Sequence, residues 1–479
     1  MDNIRELISN EFSKFKSIPI QHIELIAQSG SNRTYYRIFT NKETYIATIN
    51  YDIAENEAFF YLQSYFSKIL LPVPSVLYIN NDKNLYFQND LGDKTVYVLL
   101  QQLKKENKEQ EILYWYQRIL TDLLVFQFSA IQGLDFTKCY PVSEFGEQAI
   151  RWDLNYFKYM FLKLTYAYFH EKRLEEEFNL LINYLLSADS SFFVYRDFQS
   201  RNIMIYQDKL YYIDFQGGRK GPLFYDLASL LYDAKAELSE SIRKQLIEFY
   251  FTKLSESYFI SQDSFYKYFY VFVFFRILQA LGAYGYRGIY EQKQHFISSI
   301  KPAFDNLKYL FEKTSVSEEF PYLTQLLQNH FQHPFIQKLI QQPTSEKLIV
   351  HIKSFSYKNG YPEDNTIHGG GFVFDCRALP NPGKYDSLKY YTGKDVEVIQ
   401  FMEQHEEVRQ FMQHVYQLVS NSVSYYINRD FDYLSVAFGC TGGQHRSVYC
   451  AEKLVQYLTK KFKVKVILHH LNQQNWLTS

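Results

Sequence analysis

The stretch Phe193-Val-Tyr-Arg-Asp-Phe-Gln-Ser-Arg-Asn-Ile-Met-Ile205 reads as an apolar strand, a polar loop and a second apolar strand. Asp197 and Asn202 stand five apart in it, and Asp214 opens Asp214-Phe-Gln216 after one further hairpin strand. An Asp or Asn alone in such a place would read as a turn cap. The joint spacing on alternating apolar strands points to phosphoryl transfer. That chemistry needs a carboxylate to take the proton of an acceptor hydroxyl and oxygen ligands to hold Mg²⁺ against the phosphates. Asp197 suits the first role as the catalytic residue; Asn202 and Asp214 suit the second as metal ligands.

Working outward, residues 20–50 alternate like three short strands, Ile23–Ile26, Tyr35–Phe39 and Tyr45–Ile49, with a Ser/Gly turn at Ser29–Asn32. A helix over 54–68 and strand-like pieces at 75–79 and 85–87 follow. Beyond Leu91-Gly-Asp93 the pattern turns helical at 108–131, 147–187 and 238–312. Strands resume at 348–356, 371–376, 432–438 and 463–469, with helices at 395–427 and 446–461. The expected fold class is an α+β, kinase-like two-lobed domain (1–312), a partly helical connector (313–345) and a smaller α/β domain (346–479).

A hydrophobic share of 47% and a charged share of 22% describe a globular chain and exclude global disorder. The formal net charge of -1 gives the whole molecule no electrostatic footprint for nucleic acid or anionic membrane. The 44 Tyr and 42 Phe are spread along the chain, which reads as core packing more than as a stacking platform. Cys139, Cys376, Cys440 and Cys450 show no paired spacing, which reads as reduced thiols in a cytoplasmic protein without a zinc motif. The first residues lack the apolar core of a signal peptide, and Tyr270–Phe275, broken by Arg276, is too short to span a bilayer, so no membrane is expected.

The catalytic-loop string resembles the aminoglycoside-phosphotransferase-like kinases, with Tyr195-Arg-Asp197 where that group has His-Arg-Asp or His-Gly-Asp. Tyr225-Asp-Leu-Ala-Ser-Leu-Leu231 is similar to the group's segment after the metal aspartate, where the Asp is structural. Ser29-Gly-Ser-Asn-Arg-Thr-Tyr-Tyr-Arg37, Leu71-Pro-Val-Pro74, Asp90-Leu-Gly-Asp93 and Gln279-Ala-Leu-Gly282 with the preceding Arg276 resemble the AmgK-type branch. That branch consists of kinases of the anomeric hydroxyl of N-acetylmuramate and N-acetylglucosamine. The resemblance covers about residues 20–310. It implies ATP and Mg²⁺ as cofactors, with Ser29, Gly30, Ser31, Arg33, Gln88 and Asn89 around the nucleotide. It also implies Arg151, Asp153 and Arg201 beside Asp197 around an amino-sugar acceptor. One departure stands out: the third strand offers Thr48 where many kinases have a phosphate-binding Lys. Arg33 and Arg37 are the candidate replacements, and Glu57 the candidate helix Glu. Without a replacement cation, the domain reads instead as a non-catalytic nucleotide binder, part of a sensor or adaptor.

The string Asp432-Tyr-Leu-Ser-Val-Ala-Phe-Gly-Cys-Thr-Gly-Gly-Gln-His-Arg-Ser447 leaves a buried strand and enters a helix. Its glycines let backbone N–H groups converge beside a positive helix end, so a phosphate-binding loop is expected at Cys440, Thr441, Gly442, Gly443, Gln444, His445, Arg446 and Ser447. With Asp375-Cys-Arg-Ala-Leu-Pro-Asn-Pro382 and Tyr391-Thr-Gly-Lys-Asp395 it resembles the RapZ C-terminal domain over about 347–470. That resemblance implies binding of an amino-sugar phosphate such as glucosamine-6-phosphate, and a homo-oligomer. RNA is the other partner it implies, but Leu471–Ser479 lacks the basic end that goes with RNA. Cys440 followed at six residues by Arg446 is also the spacing of cysteine phosphatases, in which a thiolate attacks phosphorus. The expected activity is amino-sugar phosphorylation, with a sugar-phosphate-binding domain appended.

Overall fold

The computed structural model describes residues 2–26, 33–129, 133–291, 293–341, 348–362, 371–428, 431–462 and 464–476. They fall into two compact units, one of residues up to Glu291 with Ser299–Gln337, the other of Gln292–Ser298 with Lys338 onward.

The first unit begins with helix α1 (Asp2–Phe15), which the sequence reading did not anticipate. Strands β1 (Ile20–Ile26), β2 (Thr34–Thr40) and β3 (Thr44–Ile49), helix α2 (Ile53–Lys68), and strands β4 (Val76–Ile79) and β5 (Leu85–Asn89) complete its small lobe. The five strands form one antiparallel sheet in the order β1-β2-β3-β5-β4. Ile8 and Phe12 of α1 cover one face of it, against Tyr36, Ile38, Tyr45 and Phe87. Asp52 caps α2 by accepting the Glu55 N–H at 3.1 Å.

The helical lobe continues with α3 (Val96–Lys105), α4 (Glu109–Ser129), α5 (Glu147–Phe157) and α6 (Glu171–Leu186). The single helix expected over 147–187 is thus two, parted by a π-type turn at Lys158–Lys163. Two short hairpin-like sheets follow, β6 (Phe192–Val194) with β9 (Arg219–Gly221) and β7 (Ile203–Tyr206) with β8 (Lys209–Tyr212). The remaining helices of this unit are α7 (Phe224–Leu231), α8 (Glu240–Ser255), α9 (Gln262–Ala283), α11 (Ile300–Lys313), α12 (Val316–Glu319) and α13 (Pro321–Phe331); α10 (Gln294–Ile297) falls in the second unit, and α14 (Pro334–Gln341) runs from the first into the second.

Gln262–Tyr290 is long and apolar enough to cross a membrane by length and composition, yet most of it is buried in the unit. It is the central helix of the lobe, packed on α5, α7 and α11. The stretch expected as a connector is largely helical, and its part up to Gln337 lies in the first unit. There the Glu177 carboxylate accepts the first free N–H groups of α13, from Tyr322 (2.6 Å) and Leu323 (2.7 Å).

The second unit is a four-stranded, all-parallel sheet of β10 (Ile349–Ser356), β11 (Phe372–Asp375), β12 (Tyr433–Cys440) and β13 (Lys465–His470), in the order β11-β12-β10-β13. Helices α15 (Val396–Glu403), α16 (Glu406–Asn428) and α17 (Arg446–Lys461) supply the crossovers. The apolar stripe of α17 (Val448, Ala451, Leu454, Leu458) is fully buried against Val350, Ile352 and Val436. Each large side chain of that stripe contributes about 1.5–3 kcal/mol. Connections leave the adjacent strands β10 and β12 in opposite directions, so a crevice opens at their carboxyl ends.

Close approach at Gly282 and Gly285 holds α5 against the end of α9. A methyl group at Gly285 would fall on the Met160 carbonyl oxygen. Gly285→Ala should therefore destabilise the first unit by about 1–3 kcal/mol in denaturant unfolding; an unchanged midpoint would contradict the packing.

Candidate active site and anion-binding loop

The catalytic loop hangs on one buried carboxylate. Asp226, in the first turn of α7, accepts the N–H of Tyr195 (2.6 Å) and of Arg196 (2.9 Å). Arg196 sits at φ +80°, a left-handed conformation that costs a non-glycine residue about 1–3 kcal/mol. Its guanidinium makes a two-toothed ion pair with Asp153 (2.9 and 3.2 Å) and stacks over the Tyr225 ring at 4.9 Å. With backbone and neighbour so fixed, Asp197 turns out to solvent.

The β7–β8 hairpin then carries the chain back to Asp214, which is held in place by two contacts of its neighbour: Ile213 N–H to Asn202 O (3.0 Å), and Tyr195 OH to Ile213 O (2.7 Å). Asn202 Nδ2 donates to the Asp197 carbonyl at 2.9 Å and lies 3.4 Å from Asp214 Oδ2, so Asn202 Oδ1 has no hydrogen bond among the described residues. Gln216 Nε2 holds the other Asp214 oxygen at 2.7 Å. The structure thus brings Asp197, Asn202 and Asp214 to one place.

Burial, and then the Asp197 charge, push the Asp214 carboxyl above its ordinary pKa. Two mutually repelling carboxylates beside an amide whose oxygen can serve as a ligand suit a hard cation. Among the described residues, no group of three or more His, Cys, Asp or Glu side chains could hold a metal by itself. Asn202 and Asp214 would therefore hold Mg²⁺ with a nucleotide's phosphate oxygens completing the shell.

Arg33, just before β2, is 2% exposed. Its Nε meets Glu55 Oε2 of α2 at 3.3 Å, and its guanidinium lies 5.3 Å from the Phe59 ring centroid. Burial works against its charge, but Tyr86, Tyr35, Glu55 and Asp214 more than offset this and raise its pKa. Arg33–Glu55 is thus a buried cation–carboxylate pair in the small lobe, which has Thr48 in place of a strand lysine. The helix glutamate is Glu55; Glu57 is exposed and pairs with Lys83 at 2.5 Å. Thr48, at the lysine position, is fully buried and lies 3.3 Å from Gln88 Oε1. Arg37 is the strut between β2 and the segment after β5, bound to Asp90 (2.7 Å) and Asp93 (3.0 Å).

Among the other candidates, Ser29, Gly30 and Ser31 lie outside the described residues. Asn89 Oδ1 accepts the Ser75 N–H at 2.6 Å, bracing β4. Asp153 is engaged by Arg196, as above. Arg151 binds Glu147 (3.0 Å) and Asn179 (2.8 Å) across α5 and α6. Arg201 is exposed, and its charge opposes the rise in Asp214. Glu55 and Gln216 carried no spacing signal of their own in the sequence; only the fold reveals them.

In the second unit the Cys440–Ser447 loop closes the carboxyl end of β12. Gly443 N–H donates to Cys440 Sγ (3.2 Å), and Ser447 Oγ lies 3.1 Å from the same sulfur. Gly443 has φ +68°, and a side chain there would crowd Asn472 and Ser356 at 3.1 Å. Ser356 Oγ donates to Thr441 O (2.7 Å), and Trp476 Nε1 donates to Gly443 O (2.9 Å). Thr441 and Gly442 stay exposed.

His445 is half-buried, with Nε2 3.2 Å from Leu388 O, and burial lowers its pKa. Gln444 Nε2 donates to Tyr391 O at 2.9 Å. Arg446 Nη1 donates to Arg377 O (2.7 Å) and Leu379 O (3.1 Å), whereas its buried Nε has no partner among the described residues. The loop, the positive end of α17 and this N–H could together hold an anion.

Fold and site define a kinase-like phosphotransferase domain, and beside it in the chain an α/β domain with a glycine-rich loop at a helix N-terminus. Residues 22–259 match the model of the phosphotransferase enzyme family, and residues 348–474 match that of the RapZ C-terminal domain, so the chain carries a domain of each. A nucleotide-binding protein of Hahella chejuensis is 37% identical over 125 residues, 26% of this chain and 42% of that protein. One from Endomicrobium trichonymphae is 40% identical over 138 residues, 28% of this chain and 46% of that protein. The chain spans about half the length of the curated relatives it matches. Similar solved structures include the choline kinase LicA of Streptococcus pneumoniae (14% identity, TM-score 0.43, 63% of this chain and 99% of that one). A choline kinase of Cryptosporidium parvum is similar too (12% identity, TM-score 0.45, 68% and 100%).

Loss of a charge-assisted contact to phosphate costs about 1.5–3 kcal/mol. Arg33→Ala should thus weaken ATP binding about 10- to 100-fold by calorimetry, with Arg33→Lys recovering part of it. Unchanged affinity in Arg33→Ala would remove Arg33 from the nucleotide site.

Proposed function

We propose that the first unit is an ATP- and Mg²⁺-dependent kinase of an amino sugar, N-acetylmuramate or N-acetylglucosamine, acting at the anomeric hydroxyl. The observation that carries this reading is the joint placement of Asp197, Asn202 and Asp214 with a buried Arg33–Glu55 pair in place of the absent lysine. Asp197 accepts the proton of the acceptor hydroxyl as its oxygen bonds to the γ-phosphorus. The bond from that phosphorus to the β,γ-bridging oxygen breaks, and ADP leaves. Mg²⁺, when bound, neutralises the charge developing on the phosphate oxygens. Asn202 keeps its Oδ1 toward the metal because its Nδ2 is tied to the Asp197 carbonyl. Gln216 fixes the orientation of Asp214, and Arg33 holds the nucleotide phosphates from the opposite side.

The second unit, in the same reading, binds a phosphorylated amino sugar such as glucosamine-6-phosphate in the Cys440–Ser447 loop, as signal or as product. Its support is the open Thr441–Gly442 backbone at a helix N-terminus and the partnerless Arg446 Nε. The competing reading, a sensor or adaptor in which neither unit turns over, rests mainly on Thr48 in place of the lysine.

Radiometric transfer from ATP to an amino-sugar panel tests the first unit. Asp197→Ala should lower turnover by about 10²–10⁴ while leaving ATP binding intact; transfer to no sugar, with ATP still bound, would favour the adaptor. For the second unit, Gly443→Ala forces a side chain into a left-handed conformation at a cost of about 1–2 kcal/mol. Calorimetry should show glucosamine-6-phosphate binding weakened about tenfold or more; undiminished binding would move the ligand off this loop.

A further inference from the structure

The chain that leaves β13 returns to the Cys440–Ser447 loop and ties to it. Leu471 N–H donates to Ser354 O (3.0 Å), continuing the pairing of β13 with β10. Asn472, 5% exposed, takes the Ser356 N–H on its Oδ1 at 2.7 Å. A single tight turn, Gln473–Asn475, then brings Trp476 to the loop, with its ring 5.5 Å from that of His470.

Two of the loop's carbonyl oxygens end on donors from this side. Ser356 Oγ donates to Thr441 O at 2.7 Å, and Trp476 Nε1 donates to Gly443 O at 2.9 Å. The indole N–H can act only as a donor. Ser356 Oγ also accepts the Lys358 N–H at 3.2 Å, which leaves its own hydrogen for Thr441.

In a trans peptide the C=O and the N–H of the next residue point in opposite directions. Holding the Thr441 oxygen therefore aims the exposed Gly442 N–H away from Ser356. Holding the Gly443 oxygen keeps that peptide dipole from turning over in the same way. Sterics alone would not do this. A Cβ at Gly442 would meet nothing within 4 Å, and Gly443 sits at φ +68°, where glycine is at ease in either sense. A flipped peptide would turn a carbonyl oxygen to the place where an anion needs an N–H.

Resting on the phosphate reading of this loop, we propose that Trp476 and Ser356 are its positioning residues. They bind the Gly443 and Thr441 oxygens on the side away from the ligand, and so keep N–H groups and not oxygens turned to the phosphate. Neither touches the ligand. Asn472 acts one step further out, by fixing the Ser356 backbone.

Calorimetry on the full chain, with inorganic phosphate and with glucosamine-6-phosphate, reads the effect. One neutral hydrogen bond is worth about 2- to 10-fold in affinity. Trp476→Phe keeps a ring beside His470 and loses the N–H, so it should weaken both ligands about 3- to 10-fold. Trp476→Ala should add no more than about twofold to that. Ser356→Ala should weaken both ligands to a similar extent, and unchanged thermal midpoints show that the variants fold. Amide hydrogen exchange separates positioning from mere support. Saturating phosphate should slow exchange at Gly442 in the wild type and much less in Ser356→Ala. Equal protection in the two would overturn the proposal, as would wild-type affinity in Trp476→Phe with a loss confined to Trp476→Ala. Wild-type protein that binds neither ligand would defeat the phosphate reading, and this proposal with it. Wild-type binding left unchanged by both Trp476→Phe and Ser356→Ala would keep that reading and defeat the positioning role alone.

Discussion

A single buried carboxylate, that of Asp226, fixes the geometry on which the first unit's chemistry depends. By accepting two consecutive backbone N–H groups it holds Arg196 in a left-handed conformation that the residue would not adopt freely. That twist sends the Arg196 guanidinium onto Asp153 and Tyr225 and leaves Asp197 facing outward. The same loop, through the Asn202 amide, sets the distance between Asp197 and Asp214. Burial pushes Asp226 itself up to about 7, and the two N–H donors and Arg196 pull the other way. A carboxylate placed so is both costly and specific: few other arrangements of this chain would satisfy it.

The same economy explains the absent lysine. In the small lobe the third strand carries Thr48, and the buried cation is Arg33, the residue ahead of the second strand, with its glutamate partner near the start of α2. Thr48 is then free to be a buried strand residue, hydrogen-bonded within the sheet. On the proposed reading, one unit places phosphate on a hydroxyl and the other holds a phosphate already attached.

Much of this was legible in the sequence, because alternation and spacing translate directly into strands and a shared face. The five-residue gap from Asp197 to Asn202, and the hairpin before Asp214, place the three side chains together with no knowledge of the rest. The Gly-rich exit from β12 into an amphipathic helix was legible for the same reason. Contacts between distant segments were not. Glu55 and Glu57 look alike in sequence, and only the docking of α2 decides that Glu55 meets Arg33 while Glu57 faces Lys83. Arg151 and Asp153 sit in a segment that suggests the acceptor, yet their side chains are engaged by Asn179 and by Arg196. The helices over 316–341 read as a connector because their apolar residues are few and spaced by polar ones. Glu177, over a hundred residues earlier, supplies the cap that docks α13. Helix α1 escaped notice because its apolar residues, Ile8 and Phe12 among them, make sense only against the sheet they cover.

In the proposed reaction this site moves the γ-phosphate of ATP to the anomeric oxygen of an amino sugar. Phosphorus NMR of wild-type protein with ATP, Mg²⁺ and N-acetylmuramate or N-acetylglucosamine tests it most directly. The account predicts ADP together with a new phosphomonoester resonance coupled to the anomeric proton, absent without Mg²⁺. ATP that stays intact, or is hydrolysed only to inorganic phosphate with every amino sugar tried, would contradict it.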